Sequence, residues 1–197
     1  MDLVFATHNH NKIKEITPLL PQSIRLLSLD DIGCTEEIEE TENTLEGNAA
    51  LKATYVAQNY HYACFADDTG LMVDALNGDP GIFSARYAGS QKSAEDNMNK
   101  LLRNLGDVEQ RKAHFKTVIA LQIDGALHLF EGIVTGEILR EKKGTEGFGY
   151  DPLFKPDGYT KTFAELPMSE KNKISHRARA LEKLILFLES YSTNNKS

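Results

Sequence analysis

Two adjacent carboxylates, Asp67 and Asp68, interrupt the apolar stretch Cys64-Phe65-Ala66-Asp67-Asp68-Thr69-Gly70-Leu71-Met72-Val73. Neighbouring anions repel unless a proton or a cation lies between them. A hard divalent ion such as Mg²⁺ or Mn²⁺, which prefers oxygen ligands, suits such a pair. Residues 63–66 read as a buried strand, so Asp67 and Asp68 should face opposite sides and do different work. Asp and Gly are also ordinary turn residues, and the plainer alternative is a turn at Thr69-Gly70 after the strand.

Other polar groups gather where short elements meet. The apolar run Leu3-Val4-Phe5-Ala6 leads into Thr7-His8-Asn9-His10-Asn11-Lys12, after which Ile13, Ile16, Leu19 and Leu20 fall on one helical face and Pro18 closes or kinks the helix. Backbone N–H groups, the positive helix end and Lys12 there favour an anion, with simple capping by Asn9 or Asn11 as the alternative. No Walker spacing is present. Residues 24–29 read as a second strand, and an acidic run follows in Glu36, Glu37, Glu39, Glu40 and Glu42. One or two of these carboxylates could face a metal held by Asp68, although acidic runs are usually solvated. Asn43 or Thr44 then caps a helix that places Thr44, Asn48 and Lys52 on one side. A lone Lys on a helix is usually solvent-exposed.

The second half carries different signals. Asp79-Pro80-Gly81 turns the chain into Ile82-Phe83-Ser84-Ala85-Arg86-Tyr87, a tight loop that presents a guanidinium. Residues 93–104 form a helix, and strands over 113–123 and 126–134 join at Asp124-Gly125, a strong hairpin signal. The sheet is extended over 136–139. Phe148 lies between Gly147 and Gly149, which leaves its ring available for stacking on a base or for burial. Ser175 caps a last helix whose stripe is Ala178, Leu181, Leu184, Ile185 and Leu188, and the tail over 192–197 is polar. His176 and Arg177 then sit at the positive helix end, a place that disfavours cations and hints at an anionic or carbonyl-bearing partner.

A chain of 197 residues, 41% hydrophobic, is long enough for a sizeable core and reads as a single domain over 1–197. Its net charge of -7 argues against a nucleic-acid-binding face. No leader pattern or membrane-spanning apolar run is seen, so a cytoplasmic protein with no membrane partner is expected. Cys34 and Cys64 lack metal or redox spacing and read as core thiols.

Taken together, six stretches resemble the inosine triphosphate pyrophosphatase family over nearly the whole chain. They are residues 7–12, Thr44-Leu45-Glu46-Gly47-Asn48-Ala49-Ala50-Leu51-Lys52-Ala53, residues 66–71, residues 80–87, Gly147-Phe148-Gly149-Tyr150-Asp151-Pro152 and Ser175-His176-Arg177. The resemblance implies an α/β fold: a long, curved mixed β-sheet flanked by helices, in two lobes with a central cleft. It also implies hydrolysis of ITP, dITP and XTP to the monophosphate and pyrophosphate, with Mg²⁺ (Mn²⁺ as a possible substitute), by a homodimer. Position by position, Thr7, His8, Asn9, His10, Asn11 and Lys12 would hold phosphates, with Lys52 neutralising them. Asp68 matches the catalytic carboxylate and metal ligand, with Glu39 as the second metal-side carboxylate and Glu40 as its alternative. Thr69 would contact substrate. Phe148 would stack on the purine beside Gly149, Tyr150 and Asp151, and Lys171, His176 and Arg177 would contact the base. The sequence departs from the family at Glu42, where many members have Gly, at Gly47, where many have Glu, and at Thr69 for a commoner Ser.

Overall fold

The computed structural model describes residues 1–194, so residues 195–197 of the expected polar tail lie outside the described residues. The first elements are β1 (Asp2–Phe5), α1 (His10–Ile16), β2 (Arg25–Leu27) and α2 (Leu45–Tyr60). The long strand β3 (Cys64–Val73) and the two-residue β4 (Pro80–Gly81) come next, then α3 (Ala94–Leu105). The hairpin strands β5 (Lys112–Ile123) and β6 (Ala126–Ile138), β7 (Phe154–Pro156), α4 (Met168–Ile174) and α5 (His176–Asn194) complete the chain. The strands form one seven-stranded sheet in the order β2-β1-β3-β5-β6-β7, with β4 paired to β3 off this path. It is mixed: β1 runs parallel to β2 and β3, whereas β3–β4 and β6–β7 are antiparallel. Among the described residues, no helix is long and apolar enough to cross a membrane.

Local chemistry sets the element ends. Asn9, Thr44 and Ser93 cap α1, α2 and α3, each through a side-chain oxygen that accepts a backbone N–H. At the hairpin, Asp124 and Gly125 take φ of 47° and 79°, matching the twist of the strands they join. Three sequence expectations change. The second strand is confined to Arg25–Leu27. Residues 168–174, ahead of the Ser175 cap expected for the last helix, form a helix of their own, α4. The chain also does not turn at Thr69-Gly70, because β3 continues to Val73. A Cβ at Gly70 would stand 2.8 Å from the carbonyl oxygen of Gly81, so the glycine permits a close approach of β4 rather than a turn.

The chain divides into two compact units. The first comprises Met1–Asp68, Thr117–Gly132 and the chain from Arg177 onward, and the second comprises Thr69–Lys116 and Ile133–His176. Each has its own core. In the first, Leu3, Phe5, Phe65, Ile119 and Leu121 pack with Ala180, Leu181, Leu184 and Leu188 of α5. Phe5 and Phe65 are register partners on β1 and β3, and their rings stack at 4.5 Å between centroids. Ala178 and Ile185, expected in the same α5 stripe, are half-buried. In the second unit, Leu71, Val73, Met98, Leu101, Phe115, Phe154 and Phe163 form the core. Cys34 and Cys64 are buried free thiols, one expectation that needs no revision.

Candidate active site

The stacked Phe5–Phe65 pair fixes where the first charged group forms. The N–H of Ala6 donates to the Phe65 carbonyl at 2.8 Å, and beyond that point β1 leaves the sheet while β3 continues. The departing segment, residues 7–12, therefore runs beside Asp67. Lys12 Nζ donates to Asp67 Oδ1 at 2.8 Å, and Arg177 Nε donates to Asp67 Oδ2 at 3.0 Å. Arg177 Nη1 also donates to Glu15 Oε2 at 2.5 Å. All four side chains lie almost wholly out of water, Lys12 being the most accessible at 14%. Burial raises the Asp67 carboxyl, but the charges of Lys12, Arg177 and Lys52 outweigh it and hold the group well below the usual carboxylate range. Burial likewise pulls the Lys12 ammonium down, with Lys52 and Arg177 adding to the effect and Asp67 opposing it. The cation that seemed misplaced at the start of α5 is thus matched by two internal carboxylates.

The loop expected to offer free N–H groups to an anion is partly self-satisfied. Asn9 Oδ1 accepts from the N–H of Asn11 at 3.0 Å and of Lys12 at 3.3 Å, while Thr7 Oγ1 accepts from the N–H of Asn9 at 3.1 Å. His8, Asn9, His10 and Asn11 are exposed, and His8 Nε2 lies 3.2 Å from the Glu36 carbonyl oxygen.

Asp68, on the opposite face of β3, meets a different set. Asn48 Nδ2 donates to Asp68 Oδ2 at 3.1 Å, and Lys52 Nζ donates to Glu40 Oε1 at 2.5 Å and to the Asp67 carbonyl at 2.8 Å. Burial raises the Asp68 carboxyl and Glu40 adds to it, against the opposing charge of Lys52. Lys52 is buried where a solitary helical lysine is ordinarily solvated. Its ammonium is desolvated, but Glu40, Asp68 and Asp67 push its affinity for the proton above the usual lysine value. Of the two candidates in the acidic run, Glu40 joins this cluster, whereas Glu39 is exposed. Asn48 had no assigned role in the sequence, although its spacing four residues before Lys52 placed both on one helix side.

Among the described residues, no group of three or more His, Cys, Asp or Glu side chains is placed to hold a metal ion. Mg²⁺ needs no such cage, since it keeps waters and takes one or two carboxylates together with substrate phosphates. Asp68 with Glu40 is a donor set of that kind. A cation there would also oppose the burial and the like charge that raise the Asp68 carboxyl. The residues present fit the ion.

The second unit holds a group of another character. Asp151 Oδ2 accepts from the Phe148 N–H at 2.8 Å and from Lys171 Nζ at 2.5 Å. The same ammonium lies 5.1 Å from the Phe148 ring centroid and 5.5 Å from that of Phe163. Gly147 and Gly149 adopt φ of 74° and 64°, which lets the loop curl around the half-buried Phe148 ring. Tyr150 is buried and donates its hydroxyl to the Ser84 carbonyl at 2.8 Å, so its ring is a strut under the loop. Burial pushes its phenol well above the usual tyrosine value. His176 stacks on Phe115 with centroids 4.6 Å apart, and Thr69 is half-buried on β3. Arg177, expected with Lys171 and His176 on the base side, is instead engaged by Asp67 and Glu15 in the first unit.

Two of the three departures from the family pattern, Glu42 and Gly47, meet in space. A Cβ at Gly47 would stand 2.7 Å from Glu42 Cβ and 3.0 Å from its Cγ. The Glu42 side chain thus occupies room that the absence of a side chain at position 47 leaves open.

Known proteins with similar sequences and folds cover the whole of this arrangement. The model of the Ham1 family matches residues 3–187. A dITP/XTP pyrophosphatase of Flavobacterium johnsoniae is 60% identical over 185 residues, 94% of this chain and 96% of that protein. Another, of Flavobacterium psychrophilum, is 58% identical over 190 residues, 96% of this chain and 100% of that protein. The solved structure of the Staphylococcus aureus Ham1 protein matches with a TM-score of 0.88 and 41% identity, covering 97% of this chain and 100% of that one.

Proposed function

The chain belongs to the Ham1 family, and on that premise we propose how its side chains act: it hydrolyses the deaminated purine nucleoside triphosphates ITP, dITP and XTP to the nucleoside monophosphate and pyrophosphate. One observation carries the assignment of roles. Two adjacent carboxylates on one strand meet different partners: Asp67 is shared by Lys12 and Arg177, whereas Asp68 meets Asn48 on the side where Lys52 pairs with Glu40. A carboxylate shared by two buried cations suits a structural counter-ion, and one set near a second carboxylate suits a place where a metal ion and its water are held.

Asp68 orients the attacking water and accepts its proton. Asp68 and Glu40 would hold Mg²⁺, or Mn²⁺ in its place, which would supply positive charge for the phosphate oxygens. Lys12 and Lys52 counter the negative charge that develops on the pyrophosphate as it leaves. Thr7, His8, Asn9, His10 and Asn11 line the path of the phosphates, and Thr69 contacts the substrate. Phe148 stacks on the purine, and Gly149 and Asp151 shape the loop that presents it. Lys171 supplies donor hydrogens to a 6-keto oxygen. Adenine's 6-amino group would set donor against donor there, a mismatch that is costly once water is excluded. A homodimer in the cytoplasm belongs to the same proposal, and sedimentation of the purified protein tests the dimer.

The deciding experiment is pyrophosphate release from ITP and ATP, with and without Mg²⁺. Fast, metal-dependent release from ITP and slow release from ATP is the expected result. Equal rates with the two nucleotides would reject the base-side roles, and metal-independent release would reject the pairing of Asp68 with Glu40 around an ion.

A further inference from the structure

Asn48 has no direct part in the proposed chemistry, yet it is fully buried on α2 and touches the acidic run and Asp68 at once. Its Oδ1 accepts the Glu42 N–H at 3.0 Å, and its Nδ2 donates to Asp68 Oδ2 at 3.1 Å. The amide orientation is dictated by the partners, because a backbone N–H only donates and an ionised carboxylate only accepts. A side-chain amide of this length meets both demands, whereas ionised Asp has no donor and Ser is too short to reach both groups. Helix propensity does not account for the choice, since Asn is among the poorer helix formers. The run is fastened to the same helix on its other side, where Glu36 Oε1 accepts from the Tyr55 hydroxyl at 2.7 Å and the Tyr60 hydroxyl at 2.9 Å. Glu40, paired to Lys52 one helical turn beyond Asn48, lies between the two fastenings.

We infer that Asn48 is a positioning residue that ties the acidic run to the Asp68 carboxylate, so that Glu40 and Asp68 are held as one set. The inference rests on the roles proposed above for those two carboxylates. Its first test needs neither nucleotide nor metal. Amide exchange of Glu42 in the isolated protein should quicken about tenfold in Asn48→Ala, as expected for loss of one hydrogen bond. The isosteric Asn48→Asp keeps the acceptor and should keep slow exchange. With ITP and Mg²⁺, both variants should lose about 10–100-fold in kcat, the usual cost of removing a group that orients a metal-side ligand, with KM within about threefold of wild type.

Unchanged Glu42 exchange in Asn48→Ala would overturn the tie to the acidic run. A lowered Tm with unchanged kcat for the folded protein would reduce Asn48 to a structural residue. Should the wild-type protein release no pyrophosphate from ITP, the hydrolytic reading fails while the exchange comparison still decides whether Asn48 holds the run.

Discussion

The two functional groups solve opposite problems with the same residue types. In the first unit, Lys12, Lys52 and Arg177 are interleaved with Glu15, Glu40, Asp67 and Asp68, three cations against four carboxylates. In the second, Asp151 pairs with Lys171 beside the rings of Phe148 and Phe163. A dense network of interleaved charges suits, on the proposed reading, the charged end of a ligand. An ion pair beside aromatic faces suits, on the proposed reading, a planar, uncharged end that must be recognised without reacting. On the proposed roles, the aromatic faces beside the ion pair mark the recognising region, and the interleaved charges mark the reacting one.

The contrast can be broken by mutation, beginning with the largest effect. Asp68→Asn should lower kcat for ITP by about 10²–10⁴-fold, the usual worth of a proton-accepting side chain, while Tm stays within about 4 °C of wild type. The second half of that expectation follows because burial already disfavours the ionised Asp68. Near-full turnover in the variant would move the reacting region elsewhere.

Asp67→Asn should instead strike stability, by about 3–5 kcal/mol, because Lys12 and Arg177 would remain buried without their shared counter-ion. The same carboxylate sets an acid limb. Its folded value is depressed, so its contribution is full above the unfolded carboxylate value near 3.9 and is lost as pH falls below it. Urea unfolding across that range should show wild type weakening steeply and Asp67→Asn weakening less. Parallel curves would mean that the network does not depend on Asp67 ionisation.

In the second unit, Phe148→Ala should raise KM for ITP by the equivalent of about 1–3 kcal/mol, the range of base stacking on an aromatic ring, and leave kcat and Tm nearly unchanged. A fall in kcat with KM unchanged would place this ring among the reacting groups and erase the contrast. The smallest effect concerns the edge of the first group. Gly47→Ala should cost about 1–3 kcal/mol by crowding Glu42, and markedly less in a Glu42→Gly background. Additive losses in thermal melts would show that the two departures are independent.

Much of this was legible in the residues. Asn9 and Thr44 as candidate caps, the Asp124-Gly125 hairpin and the opposed faces of Asp67 and Asp68 all follow from bonding within a few positions or from a period of two. The Thr69-Gly70 turn was misread because those residue types do turn chains in isolation, and nothing local reveals that β4 lies against Gly70. The acidic run could not distinguish Glu39 from Glu40, since only the path over α2 decides which carboxylate meets Lys52. Arg177 finds Asp67 across 110 positions and Glu15 across 162. By itself the sequence determined the longer helices, the hairpin and the chemistry available, because helix caps, turns and strand alternation are short-range. Which charges neutralise one another was decided only by the tertiary structure, because desolvation and Coulomb energy depend on distances in space that sequence separation does not fix.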